Sequence, residues 1–169
     1  FIVMLVFLQS FRATLIPTLV VPVALMGALI GMYIVGFSIN QLTLFAMVLA
    51  IGIVVDDAIV VVEAVERIMR DDHLPPNLAT RKAMQQITGA IVAITLVLAA
   101  VFIPSAMQSG SVGVIYRQFA LTIAVSMGFS AFLALTFTPA LCATLLRPEH
   151  LRGNLIFNWF NRAYERTQQ

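Results

Sequence analysis

Long apolar runs separated by polar segments set the plan of this 169-residue chain. The runs cover 15–35, 42–62, 87–107 and 119–141. A helix of about 20 residues, rising about 1.5 Å per residue, crosses the roughly 30 Å hydrocarbon core of a bilayer. Each run therefore predicts one membrane span. A shorter run, 1–8, reaches only about 12 Å and reads as the tail of a further helix of a larger protein. The connection 36–41 is too short for anything but a tight turn, so successive spans are antiparallel. The connection 63–86 is polar, with Pro75-Pro76 in its middle stopping one helix before the next begins. Pro17 and Pro22 lie in the first third of 15–35, where they cost least or kink the helix, Pro104 lies near the end of 87–107, and 119–141 is expected to end near Pro139. Gly27 and Gly31, and again Ala124, Gly128 and Ala131, fall at intervals that let another helix come close. In 149–169, Leu151, Ile156, Trp159 and Phe160 share one side of a helix. That segment reads equally as an amphipathic helix lying on the cytoplasmic-side membrane surface or as a linker.

Composition sharpens the class. Hydrophobic residues make up 60% of the chain and charged residues 11%, against about 45–50% and about 25% in soluble domains. The fold class is thus an all-α integral membrane bundle, with 1–148 as the transmembrane unit. A net charge of +2 gives no reason to expect nucleic acid. The basic residues instead report topology. With alternating spans, Arg12, Arg67, Arg70, Arg81, Lys82, Arg147, Arg152, Arg162 and Arg166 fall on one side, and Arg117 alone on the other. By the positive-inside rule the first side is cytoplasmic. Cys142, the single cysteine, has no disulfide partner in the chain and reads as a small packing residue. No basic stretch followed by a small-residue cleavage site marks a signal peptide, and no residue pattern asks for a cofactor.

One span breaks the apolar rule. The run 42–62 carries Asp56 and Asp57, four and five residues past its midpoint at Gly52, about 6–8 Å beyond the centre of the slab. Two carboxylates there cost several kcal/mol unless protonated, paired or hydrated. Successive helix residues diverge by about 100°. Asp56 therefore shares a stripe with Leu49, Gly52, Ile59 or Val60, and Glu63, and Asp57 shares one with Ala46, Ala50, Ile53 and Ala64. The small residues Gly52, Ala46 and Ala50 predict close helix packing around the two acids, which would then face protein and not lipid. Low dielectric and a second carboxylate raise the pKa of such a group, and a nearby cation lowers it. A pair poised between these influences suits a proton relay. The one lysine, Lys82, lies in the cytoplasmic connection, so the partner cation must come from elsewhere. Glu63, nearer the cytoplasm, is a candidate proton exit or simply a solvated helix end. Thr122, Ser126, Ser130, Thr136 and Thr138 are candidates for a water chain or ordinary helix contacts. A hard cation needs about six oxygens, so no metal site is expected. An aspartyl protease needs two converging carboxylates, so no enzyme is expected. The bland alternative is a polar pair that only fixes helix register.

The residues that carry a family likeness are extensive. GFSINQLTLFAMVLAIGIVVDDAIVVVEAVERIM closely resembles the fourth transmembrane helix and flanks of resistance-nodulation-division (RND) transporters of the multidrug-exporting branch. FLQSFRATLIPTLVVPVALMG is similar to the end of their second helix and the start of the third. LPPNLATRKAMQQITGAIVAITLVLAAVFIP resembles their cytoplasmic link and fifth helix, and GVIYRQFALTIAVSM with LTFTPALCATLLRP resembles the sixth. The likeness implies a fragment of a 12-helix domain in the bacterial inner membrane, where Asp56 and Asp57 match two proton-carrying aspartates. It further implies a relay lysine in the missing second half, a homotrimer, a periplasmic adaptor protein, an outer-membrane channel, and proton-driven drug export. An RND relative exporting metal ions or lipids, and a non-transporting structural fragment, are the alternatives.

The charge count makes topology testable. In the full-length parent, a cysteine replacing Gly110 should react with impermeant thiol reagents from the periplasm. One replacing His73 should react only from the cytoplasm. The reverse labelling pattern would overturn the orientation.

Overall fold

A computed structural model of the chain describes residues 1–107 and 110–147, and the segment 149–169 lies outside the described residues. Among the described residues six helices follow one another: α1 (Ile2–Leu8), α2 (Phe11–Val35), α3 (Gln41–Asp71), α4 (Pro76–Ala106), α5 (Ser111–Leu135) and α6 (Phe137–Leu145). Four helical stretches are long and apolar enough to cross a membrane: α2, α3, α4, and α5 taken together with α6. The architecture is an all-helical bundle, as the apolar runs predict.

Local chemistry sets the helix ends. Gln9, in the left-handed region at φ 52°, closes α1 by donating its N–H to the Leu5 carbonyl. Ser10 then caps α2 by accepting from the Ala13 N–H. Gly36 ends α2 at φ 77°, a conformation that costs glycine little. Asn40 opens α3 with a reciprocal cap. Its Oδ1 accepts from the N–H groups of Leu42 and Thr43, and the Thr43 hydroxyl accepts from the Asn40 N–H, each at 2.9 Å. Such caps satisfy donors that the helix itself leaves unpaired.

Both helices that flank the polar connection outrun their apolar stretches. With 31 residues each, α3 and α4 are about 46 Å long, some 16 Å more than the hydrocarbon core. The surplus on α3 carries Glu63, Glu66, Arg67 and Arg70 toward the aqueous connection. Pro76 stands at the first turn of α4, where its missing N–H is harmless. Lys82 bridges back to Asp72 at 2.8 Å, an exposed pair of the kind that adds little stability.

The final span is broken. At Thr136 (φ −123°, ψ −67°) the backbone leaves the helix, and α6 begins one residue later. Pro139 explains this: it has no N–H to offer the Leu135 carbonyl, and it sits where the new helix's first turn needs no donor. The Thr136 hydroxyl donates to the Phe132 carbonyl at 2.6 Å and so satisfies one acceptor at the break.

The bundle is organised around α5, which packs against α2, α3, α4 and α6. Ala120, Thr122, Ile123, Ser126, Met127 and Ser130 on α5 are buried. Close approach on the α2 side depends on glycine. A Cβ at Gly27 would lie 2.5 Å from the Phe129 ring, and one at Gly31 would overlap the Val125 side chain. By contrast α4 offers Leu96, Val97 and Val101 outward, each more than 60% exposed, as expected of a surface that meets lipid or more protein.

Gly31→Leu would drive a branched side chain into Val125. Overpacking of this kind costs about 1–3 kcal/mol. Thermal unfolding of the detergent-solubilised parent should show a lowered midpoint, and an unchanged midpoint would mean that α2 and α5 are not held at this distance.

Candidate functional site

The two acids of α3 face different surroundings. Asp57 is half-buried at the α3–α5 seam, and its Oδ2 accepts a hydrogen bond from the Ser130 hydroxyl at 2.5 Å. That bond joins residues 73 positions apart in sequence. On the same stripe Ala46 is fully buried, Ala50 is 2% exposed, and Val54 and Val61 are buried as well. Small side chains thus bring α5 close enough for a short hydroxyl to reach the carboxylate.

Asp56 lies on the other side. Leu49, Gly52, Asp56, Val60 and Glu63 form a stripe that is exposed along its length. A Cβ on Gly52 would meet nothing within 4 Å. The close packing expected beneath Asp56 is therefore not made by the described residues of this chain. The same helix presents a packed carboxylate to its own bundle and an uncovered one to whatever lies beside it.

Ser130 stands apart from the other hydroxyls. Thr14, Thr18, Thr88, Thr95, Thr122, Ser126, Thr136 and Thr144 each donate to the carbonyl four residues earlier on their own helix. Ser130 instead reaches across to α3. Above it, Ser126, Thr122 and Gln118 follow at four-residue steps, with Thr122 and Ser126 each at most 2% exposed. Gln118 Oε1 accepts from Asn40 Nδ2 at 2.7 Å, tying the start of α3 to α5. A void of about 10 Å³ lies where α2, α3 and α5 meet, lined by Ala24, Ala28, Ala50, Val54 and Ser126 among others. A water needs about 10–15 Å³ and two to four polar partners. With one polar side chain on its wall, this void suits no water chain.

Toward the connection between α3 and α4, Glu63 is exposed. Glu66, one turn on, is half-buried. Thr138 is buried without a hydrogen-bond partner. Among the described residues no group of three His, Cys, Asp or Glu side chains gathers as metal ligands would.

The fold and this site define a multi-pass membrane bundle that holds a hydrogen-bonded carboxyl group within an apolar span. The chain belongs to the AcrB/AcrD/AcrF family, whose profile matches residues 1–169. It is 56% identical over 172 residues to the toluene efflux pump membrane transporter TtgB of Pseudomonas putida, covering 99% of this chain and 16% of that protein. Against the multidrug export protein AcrF of Escherichia coli identity is 56% over 171 residues, with 99% and 16% covered. Against the multidrug resistance protein MdtF of the same organism it is 54% over 172 residues, with 100% and 17% covered. The family is one of efflux transporters and not of enzymes. The chain spans about one sixth of the length of these relatives.

Gly52 gives a test of the uncovered face. Within this chain Gly52→Leu meets open space, so it leaves the bundle unstrained. In the full-length parent it should lower dye efflux markedly at matched membrane abundance, because a leucine would push away the helix that Asp56 faces. Wild-type efflux would show that nothing packs closely there.

Proposed function

We propose that this chain supplies half of a proton-relay site in a proton-driven exporter of drugs and other amphiphiles, located in the bacterial inner membrane. The observation that carries the reading is the division of labour on α3. Asp57 is held by Ser130 within the chain, and Asp56 stands uncovered on an apolar face. An ionisable group within a span is expensive wherever it meets lipid, and such groups pair with one another or line a path for ions. Asp56 therefore requires a partner from outside the described residues. A lysine on a helix of the parent's second half fits the charge that Asp56 and Asp57 lack here.

The relay works by exchange of partners. With the external cation close, the ionised pair is favoured; as it withdraws, protonation replaces it. Ser130 can donate to an ionised Asp57, and its oxygen can accept once Asp57 carries a proton. The site thus offers a hydrogen bond in either state without help from bulk water. Glu63, exposed below the acids, would pass protons to the cytoplasm. Assembly as a homotrimer, with a periplasmic adaptor and an outer-membrane channel, belongs to the same reading. The names of the relatives, a toluene efflux pump and multidrug exporters, support amphiphiles over metal ions as cargo.

Asp56→Asn and Asp57→Asn, made singly in the full-length parent, keep side-chain size and hydrogen-bonding capacity but cannot exchange a proton. Each should abolish dye efflux driven by an imposed pH gradient while leaving membrane abundance unchanged. If either variant pumps at close to the wild-type rate, that aspartate only packs and the relay assignment fails.

A further inference from the structure

Where α4 ends and α5 begins, the two helices leave a groove of about 620 Å³, within the range of roughly 300–1,000 Å³ common to small-molecule sites. Ile103 and Met107 of the α4 end and Val114 and Leu121 of α5 supply its apolar wall, and Arg117 lines it too. Arg117 is exposed, and no hydrogen bond or ion pair engages its guanidinium among the described residues. The sequence deepens that isolation. The six acidic residues among those described, Asp56, Asp57, Glu63, Glu66, Asp71 and Asp72, all lie at or past the middle of α3 or just after it, away from the end of the bundle that holds Arg117. No carboxylate among the described residues sits at the depth of Arg117. Beside it Tyr116 is 50% exposed, and half-exposed tyrosines favour the headgroup level, where one end is apolar and the other wet.

We propose that this groove binds an anionic phospholipid of the outer leaflet, its phosphate on the Arg117 guanidinium and an acyl chain along Ile103, Val114 and Leu121. A guanidinium offers a planar fork of donors that matches phosphate, and the apolar wall below it takes the hydrocarbon tail. Charge complementarity selects the occupant: Arg117, with no carboxylate of the described residues at its depth, faces a surface that carries phosphates. The inference does not depend on the proton relay.

The test uses the full-length transporter with its cysteines replaced, Cys142→Ala included, and Val114→Cys labelled with bimane. Val114 is 62% exposed in the groove. The protein is reconstituted with brominated phosphatidylglycerol or brominated phosphatidylcholine, and quenching gives relative association constants. One cation near the surface is worth about a fivefold preference for an anionic lipid. Phosphatidylglycerol should be favoured by that factor with Arg117 or Arg117→Lys, and the two lipids should become equivalent with Arg117→Gln. Equal quenching with native Arg117 would overturn the proposal. So would a phosphatidylglycerol preference that survives Arg117→Gln. Quenching by neither lipid would show that protein covers the groove, and would overturn it as well.

Discussion

A carboxyl group inside a hydrocarbon slab has no solvent to bond with, and the structure depends on how the chain meets that constraint. For Asp57 the answer is internal. The Ser130 hydroxyl reaches it from α5, which fixes both the rotation of α3 and its distance from α5. That distance is short only because Ala46 and Ala50 lie on the same stripe. For Asp56 the described residues give no answer. A charged group left facing lipid near the bilayer centre costs several kcal/mol, so the uncovered stripe of α3 is unfinished structure. A chain that spans one sixth of its relatives is consistent with that: the rest of the parent has surface left to cover.

Without water, apolar burial does little to join helices, and packing and polar contacts take over. This bundle shows both. Gly27 and Gly31 admit Phe129 and Val125 of α5, so dispersion contacts accumulate along the α2–α5 line. The α3–α5 line is pinned at two polar points, Asn40 with Gln118 near the outer end and Asp57 with Ser130 deeper in. Between these pins lie Ala46, Ile123 and Met127, a small apolar cluster with no room for solvent. Further along, Pro139 prevents α5 from continuing, and α6 carries the chain on from Thr136.

Much of this was legible in the sequence because apolar length and charge are local properties. The span 42–62 and its two acids stand out without any knowledge of neighbours, and Pro139 marks the place where the last span changes course. What the sequence could not show is which of several equivalent residues meets a partner. Gly27, Gly31, Gly52 and Gly128 look alike in their apolar settings. The first two are filled by α5, whereas a Cβ on Gly52 or Gly128 meets open space. The same holds for hydroxyls. Ser126 and Ser130 share a stripe and a composition, yet one satisfies itself on its own backbone and the other serves Asp57. A serine in a membrane helix can always fall back on the carbonyl four residues earlier, so its type says nothing about which option it takes. Only the register of α3 against α5 decides that.

The two pins also bear on how a relay at this place would operate. Helices α3 and α5 run in the same direction, and with polar bonds near their first turns and at depth they resist sliding past each other. Shifting α5 by one turn, about 5.4 Å, would break both bonds and leave Asp57 without its donor. Motion that alters the acids therefore falls more easily on the unpinned face, where Gly52 and Asp56 meet the remainder of the parent. On that view Asp57 is the anchored member of the pair and Asp56 the one whose surroundings change. Their carboxylates belong to adjacent residues, so a charge gained or lost beside Asp56 is felt at Asp57 without any movement of Ser130. Adjacency, which argues against an aspartyl protease because the two groups diverge, is what lets one of them face a moving partner while the other stays bound to the bundle.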